Sequence, residues 1–331
     1  MSLHFIRLEI VSPAHIGVSH EKKLLALDYL VRNSIISTID WESVFSKLNK
    51  DEIKKFSQSI MNDNKIEQTK ISYVNKFPYF KEDIPYANGC VFDVKTKINT
   101  HLRDGQGRVY MPGSSLKGAI ISVYYSNYAT KNRNKISRGD IDVVFGSQEN
   151  SPLRLFEVTD AYFHTGSTKI YPAKIYSLRV SRINDYEGGW KHKKQGSTLK
   201  FNNTDFINLY ECFDIGKQGY LRIKFNEELL ELNRQQKVSL SNEKIIFDGT
   251  NQPIERMFKL INEHTINYLK KELNFFLKFQ GERSDNIIKK INVLIELVNQ
   301  CMKNNCALLH LGSGSGFHGI TGDWRFDSHI I

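Results

Sequence analysis

A chain of 331 residues with 40% hydrophobic and 11% aromatic residues has the apolar content for a buried core, which excludes disorder through most of its length; the length favours two compact units sharing or abutting cores. The 46 Lys and Arg against 36 Asp and Glu leave a formal charge of +10, a balance that favours polyanionic partners, and 15 Tyr with 20 Phe supply faces on which unpaired bases stack. The start, Met1-Ser2-Leu3-His4-Phe5-Ile6-Arg7, has no basic region ahead of a long apolar core, no stretch approaches about 18 uninterrupted apolar residues, and Cys90, Cys212, Cys301 and Cys306 are sparse, so the expectation is a cytoplasmic protein with free thiols and no membrane span.

In chain order, residues 3–11 read as a strand that Ser12-Pro13 ends, and Ala14-His15-Ile16-Gly17 follow as a loop. Residues 24–39 are rich in β-branched and aliphatic side chains and predict a hairpin, after which Asp40 caps a helix opening at Trp41. The pattern stays helical and polar over about 41–70, as in an inserted surface subdomain. Asp104-Gly105-Gln106-Gly107 predicts a tight turn into Val109-Tyr110-Met111. Leu116, Ala119, Ile120, Val123 and Tyr124 then fall on one helical face, with Ser114 or Ser115 placed to cap the helix. Strands are expected over 153–163, 169–183, 206–213 and 219–225. Between them, the polar stretch 182–200 should project as a hairpin tip or loop, with Gly188-Gly189 permitting its sharp turn. Residues 254–279 and 286–302 carry apolar side chains at helical spacing, and a short strand at 307–311 leads into Gly312-Ser313-Gly314-Ser315-Gly316. Strands and helices interleave without regular βα alternation, so the fold class is α+β, and there is no tandem repeat.

The sharpest feature is Gly113-Ser114-Ser115-Leu116-Lys117-Gly118. Free N–H groups at a helix N-terminus beside a lysine suit phosphodiester oxygens, with Gly113 opening the backbone path and Lys117 adding a point charge; an ordinary helix cap fits the same residues. A nucleoside-triphosphate loop is excluded because Ala119-Ile120 follow Gly118. Gly314, Gly316 and Gly319 spell Gly-x-Gly-x-x-Gly, but no βαβ unit fits after them, so a dinucleotide site is excluded too; close approach of an RNA backbone at Gly312, Gly314 and Gly316 and a plain flexible turn both remain open. Cys301, Cys306, His310 and His318 lack the short Cys-x-x-Cys clamp of a zinc site, and nothing calls for a metal or another cofactor. His15 suits either a general base toward a ribose 2′-OH or a loop hydrogen bond near Gly17. Arg179, Arg182, Lys191, Lys193 and Lys194 surround Trp190, which fits single-stranded or A-form RNA and equally a solvated hairpin tip.

The run Arg108-Val109-Tyr110-Met111-Pro112-Gly113-Ser114-Ser115-Leu116-Lys117-Gly118-Ala119-Ile120 resembles the strand, Pro-Gly-Ser-Ser-Leu-(Lys/Arg)-Gly loop and helix of the repeat-associated (RAMP) proteins of type III CRISPR systems. Ser12-Pro13-Ala14-His15-Ile16-Gly17, Leu27-Asp28-Tyr29 and Leu311-Gly312-Ser313-Gly314-Ser315-Gly316-Phe317 resemble, in order, pieces of the fifth-subunit branch of the type III-A Csm complex. The family loop continues with a basic residue soon after Gly-Ala-Ile, where this chain has Ile121-Ser122. The resemblance implies RRM-like, ferredoxin-like cores with helical insertions: an N-terminal core in 1–150 and a β-rich and helical part in 151–331. It also implies a non-catalytic subunit that binds crRNA, and target RNA as well. That subunit caps the backbone filament at the guide's 3′ end, beside a neighbouring RAMP backbone subunit and the small subunit, with host ribonucleases acting in guide maturation. Two other classes stay open: a metal-independent CRISPR endoribonuclease, and a repeated backbone subunit that cleaves target RNA.

Overall fold

Alternation of apolar and polar residues decides the principal sheet. In the computed structural model, which describes residues 2–17, 23–62, 65–132, 141–147, 149–180, 186–192, 196–198, 200–201, 207–247 and 252–311, the chain opens with β1 (Ser2–Glu9), β2 (Lys23–Leu24), β3 (Tyr29–Arg32) and β4 (Ile35–Ile39). Helices α1 (Trp41–Phe45), α2 (Lys50–Ile60) and α3 (Ile66–Lys76) follow, then β5 (Phe80–Pro85), β6 (Ile98–Asn99), β7 (Tyr110–Met111), α4 (Gly113–Lys131) and α5 (Ile141–Phe145). The second half runs through β8 (Phe156–Val158), β9 (Ala161–Phe163), β10 (Thr168–Lys174), β11 (Tyr176–Val180), β12 (Tyr186–His192), β13 (Gly196–Thr198), β14 (Ile207–Phe213) and β15 (Gln218–Phe225). It ends with α6 (Glu227–Gln235), α7 (Pro253–Lys278) and α8 (Ser284–Cys301).

β1 and β15 pair antiparallel from Ser2↔Phe225 to Glu9↔Gln218 and head a sheet of order β1-β15-β9-β7, with β8 also on β15. One face of this sheet is buried: Ile6, Leu8, Leu221, Ile223, Phe225, Phe163 and Met111 pack with Leu116, Ile120 and Tyr124 of α4 and Met257 and Ile261 of α7. At Gly219 a β-carbon would lie 2.8 Å from the Phe163 ring, so only glycine lets that ring cross β15. A second sheet, β10-β14-β6-β2, builds its core from Ile98, Ile170 and Leu209. Both sheets draw strands from either side of residue 150.

The helical insertion lies between β4 and β5 of a third sheet, β3-β4-β5. Its helices run on to Lys76, beyond the expected 70, because Val74 is buried with Val44, Leu30 and Ile39. The β3–β4 hairpin turns through Asn33 and Ser34, both at positive φ, the geometry of a two-residue turn. Asp40 accepts from Ser43 N, and Asn49 and Glu52 form a reciprocal capping box that starts α2.

The expected strand at 307–311 is a correction. That segment pairs with no strand among the described residues; α7 holds it through side chains instead. Asn262 Nδ2 donates to Cys306 O (2.9 Å), Leu308 N to Asn262 Oδ1 (3.0 Å) and Thr265 Oγ1 to Leu308 O (2.7 Å). An apolar run reveals that a backbone is sheltered, not which groups satisfy it.

Candidate nucleic-acid interface

The loop singled out in the sequence forms the head of α4. Asp104 and Arg108 close the turn before it (Asp104 N to Arg108 O, 3.0 Å), with Gly107 at φ 78°. β7 then delivers the chain to Pro112, which is the N-cap residue; neither Ser114 nor Ser115 caps the helix, because the helix already starts at Gly113. Gly113 keeps an ordinary backbone and is required for a different reason. A β-carbon there would lie 2.2 Å from Val158 O and 2.7 Å from Thr159 C, since the β8–β9 connection passes directly against it.

That same connection supplies an anion. Asp160 Oδ1 accepts from Gly113 N at 2.7 Å, so a carboxylate of this chain occupies the first N–H of the helix. Lys117 turns inward: its Nζ donates to Leu153 O (2.8 Å) and lies 5.9 Å from the Phe156 ring centre, and burial lowers its pKa. Ser114 and Gly118 are exposed, and a β-carbon at Gly118 would meet open space. The outward surface of the loop is therefore Ser114 and Gly118, while Gly113 and Lys117 tie α4 to the sheet.

His15 belongs to a buried polar cluster that the sequence did not disclose. Its ring is buried, its Nδ1 donates to Glu211 O (2.7 Å), and its Nε2 is what a β-carbon at Gly17 would strike at 3.0 Å. Glu211, 1% exposed on β14, accepts from Arg103 Nη1 (3.0 Å) and Nη2 (2.8 Å), His101 N (2.9 Å) and Thr168 Oγ1 (2.8 Å). Arg103 also reaches Glu82 Oε2 at 2.5 Å. Burial alone would raise the Glu211 carboxyl, but the Arg103 fork outweighs it and holds the group below the usual carboxylate range. Burial lowers His15, and lowers His101 to about 4. His101 Nδ1 donates to Leu102 O (3.1 Å), its buried Nε2 has no partner among the described residues, and its ring packs on Phe213. The cluster fastens the 12–17 loop to β10 and β14, and its two imidazoles and the Glu211 carboxylate are buried within it.

The described residues of the stretch 182–200 include two paired strands, β12 and β13, with a different interior from that expected. β11 and β12 pair from Tyr176↔Trp190 to Val180↔Tyr186, which puts Gly188 and Gly189 within β12 opposite Leu178 and Ser177 rather than at a turn. A β-carbon at Gly188 would lie 2.1 Å from the Tyr176 hydroxyl and 2.2 Å from Phe279 O. Trp190 does not project. It is 7% exposed, donates from Nε1 to Glu282 O (2.8 Å) and meets Tyr176 and Phe201 edge to face. Lys191 is exposed beside it. Arg179 lies on β11 opposite Glu187; Arg182, Lys193, Lys194, Gly312, Gly314 and Gly316 lie outside the described residues.

Among the described residues no group of three His, Cys, Asp or Glu side chains is placed to hold a metal, and no helix is long and apolar enough to cross a membrane. Cys306 Sγ contacts Cys301 O at 3.9 Å, and His310 packs on Tyr268.

Comparison with known proteins extends along the whole architecture. The chain is 23% identical over 323 residues to "CRISPR system Cms protein Csm5" of Methanocaldococcus jannaschii, covering 94% of this chain and 71% of that relative. Its fold is similar to a chain of a Csm-crRNA-target RNA ternary complex in a type III-A CRISPR-Cas system, with TM-score 0.66, 18% identity, and 96% of this chain and 87% of that one covered. It is also similar to the crystal structure of T. onnurineus Csm5, with TM-score 0.60, 18% identity, and 88% and 86% covered. The family model described as the RAMP superfamily matches residues 7–325, and the chain accordingly belongs to the RAMP superfamily.

Proposed function

We propose that this chain is a crRNA-binding subunit of a type III-A CRISPR (Csm) interference complex in antiviral defence. It caps the backbone filament at the guide's 3′ end, supports maturation of that end by host ribonucleases in the cytoplasm, and does not itself cut RNA. The reading is carried by one observation: likeness along nearly the whole chain to a Csm5 protein and to a chain of a Csm complex that holds crRNA and target RNA. We read the β1-β15-β9-β7 sheet, with α4 and α7 on its buried face, as the RRM-like core.

The formal charge of +10 supports the phosphate-led part of this reading. The non-catalytic part is supported by His15 and His101, whose rings are buried and bonded through Nδ1 to backbone carbonyls, away from any surface where a 2′-hydroxyl would sit. Expression of the complex with and without this chain tests the proposal. Guides of altered 3′ length in its absence are expected, together with one copy per assembled complex. Cleavage of a labelled precursor by the purified chain would replace the proposal with the endoribonuclease reading, and several copies along the filament would replace it with the backbone-subunit reading.

A further inference from the structure

The buried face of the principal sheet is accounted for by α4 and α7; its other face is not. Along β1 the side chains of Leu3, Phe5, Arg7 and Glu9 are exposed, and along β15 those of Tyr220 and Arg222, with Lys224 partly so. Directly paired residues of an antiparallel sheet share a face, so the register builds a row across four strands, Arg7↔Tyr220, Tyr220↔Tyr162 and Tyr162↔Tyr110, with Phe5↔Arg222 beside it. Tyr110 and Tyr162 stack at 5.6 Å, and Arg108 lies 4.8 Å from the centre of the Tyr162 ring.

Two rings stand apart from that stack. Phe5 is 78% exposed and Tyr220 62% exposed, and among the described residues neither packs on another ring. A soluble fold does not place such rings on the open side of a sheet for its own stability, because their area remains in water. Phe5 and Tyr220 are diagonal neighbours, about 7–8 Å apart, the spacing at which each of two splayed bases can have a ring to itself.

The charge on this face selects the occupant. Lys224 is paired with Glu157, Arg108 with Asp104, and Glu9 accepts from Gln218. Arg7 and Arg222 are exposed, and neither has an ion-pair partner among the described residues. Two guanidinium groups without an ion-pair partner among the described residues, flanking two exposed rings, are complementary to a phosphate backbone bearing unpaired bases.

We infer that the open face of the β1-β15-β9-β7 sheet is an RNA-contact surface, where Phe5 and Tyr220 stack unpaired bases and Arg7 and Arg222 hold the adjoining phosphates of a single strand. It rests on the RNA-binding reading above and lies apart from the head of α4. Arg7 and Arg222 contribute range and salt dependence; the rings contribute contact that salt does not screen.

The test uses the purified full chain and a short fluorescein-labelled oligouridylate, with affinity measured by anisotropy across a salt series. Phe5→Ala with Tyr220→Ala should weaken binding by tenfold or more, the order expected for losing stacked bases, and leave the salt slope unchanged. Phe5→Tyr with Tyr220→Phe, which keeps both rings, should bind like the parent. Arg7→Gln with Arg222→Gln should lower the salt slope by about two units. Unchanged affinity in the ring-less variant, with the parent still binding, overturns this inference and leaves the guide-binding reading standing. A parent chain that binds no oligouridylate and carries no guide in the assembled complex overturns both. A ring-less variant that binds RNA normally but fails to join the complex makes the face a protein interface and also overturns the inference.

Discussion

Replacing Gly113 by alanine sets a methyl carbon 2.2 Å from Val158 O and 2.9 Å from Thr159 O. Relief requires the β8–β9 connection to retreat by about 1 Å, a displacement of the size that makes small-to-large substitutions costly. That connection cannot move independently, because Thr159 N donates to Arg222 O (3.0 Å) and Arg222 N to Thr159 Oγ1 (2.9 Å) across β15. Overpacking of this kind costs about 1–3 kcal/mol, and disturbing the charged Gly113–Asp160 bond adds up to about 1.5–3 kcal/mol. The gain in helix propensity returns at most about 1 kcal/mol. The expected net loss is roughly 2–4 kcal/mol, read by urea unfolding of the purified chain. Gly118→Ala is the internal control: its β-carbon meets open space on the same helix, so it should stabilise by about 0.5–1 kcal/mol. Equal stability of the two variants would refute the close approach as the reason for glycine at 113.

Three further outcomes follow from the buried contacts. His101 sits near 4 against an ordinary 6.5 because burial disfavours its charged form; below pH 6.5 the unfolded chain takes up a proton that the folded chain does not, so stability should fall by about 3 kcal/mol between pH 7 and 4. Glu211, held low by Arg103, adds its own loss only below about pH 4.5, and denaturant titrations of the parent and His101→Phe across this range should show a flatter profile in the variant. Trp190→Ala should cost about 3–5 kcal/mol and expose the β11–β12 strand pair to limited proteolysis; unchanged stability with lost target affinity would mean the ring meets RNA instead of Glu282 O. Lys117→Met should leave the salt slope of RNA binding unaltered, since Nζ is committed to Leu153 O, whereas a drop of about one unit would reveal a phosphate contact there.

What the sequence disclosed was local. The helix at 113–131 followed from apolar spacing, the turn at 104–107 from its glycines, and the Asp40 cap from its position before Trp41. What it withheld depended on partners far along the chain. Gly113 is needed because of Val158 and Thr159, Trp190 is buried by Glu282 and Phe201, and His15 is held by Glu211. In each case the residue type announced a special environment and the distant contact chose between the functional and the internal role. A glycine pair inside a polar stretch was read as a turn for the same reason: the ring and carbonyl that crowd Gly188 come from Tyr176 and Phe279. The two-faced alternation of β1 and β15 was present in the sequence, but only their register brings Arg7, Tyr220, Tyr162 and Tyr110 into one row.

The most direct test of the central claim is sequencing of the RNA that copurifies with this chain from cells expressing the whole complex. A crRNA-binding subunit at the guide's 3′ end predicts a discrete ladder of repeat-derived guides, with ultraviolet crosslinks from this chain confined to their 3′ portions. An intact complex whose guides are unaltered when this chain is omitted, and a chain that crosslinks to no guide within it, would contradict the claim.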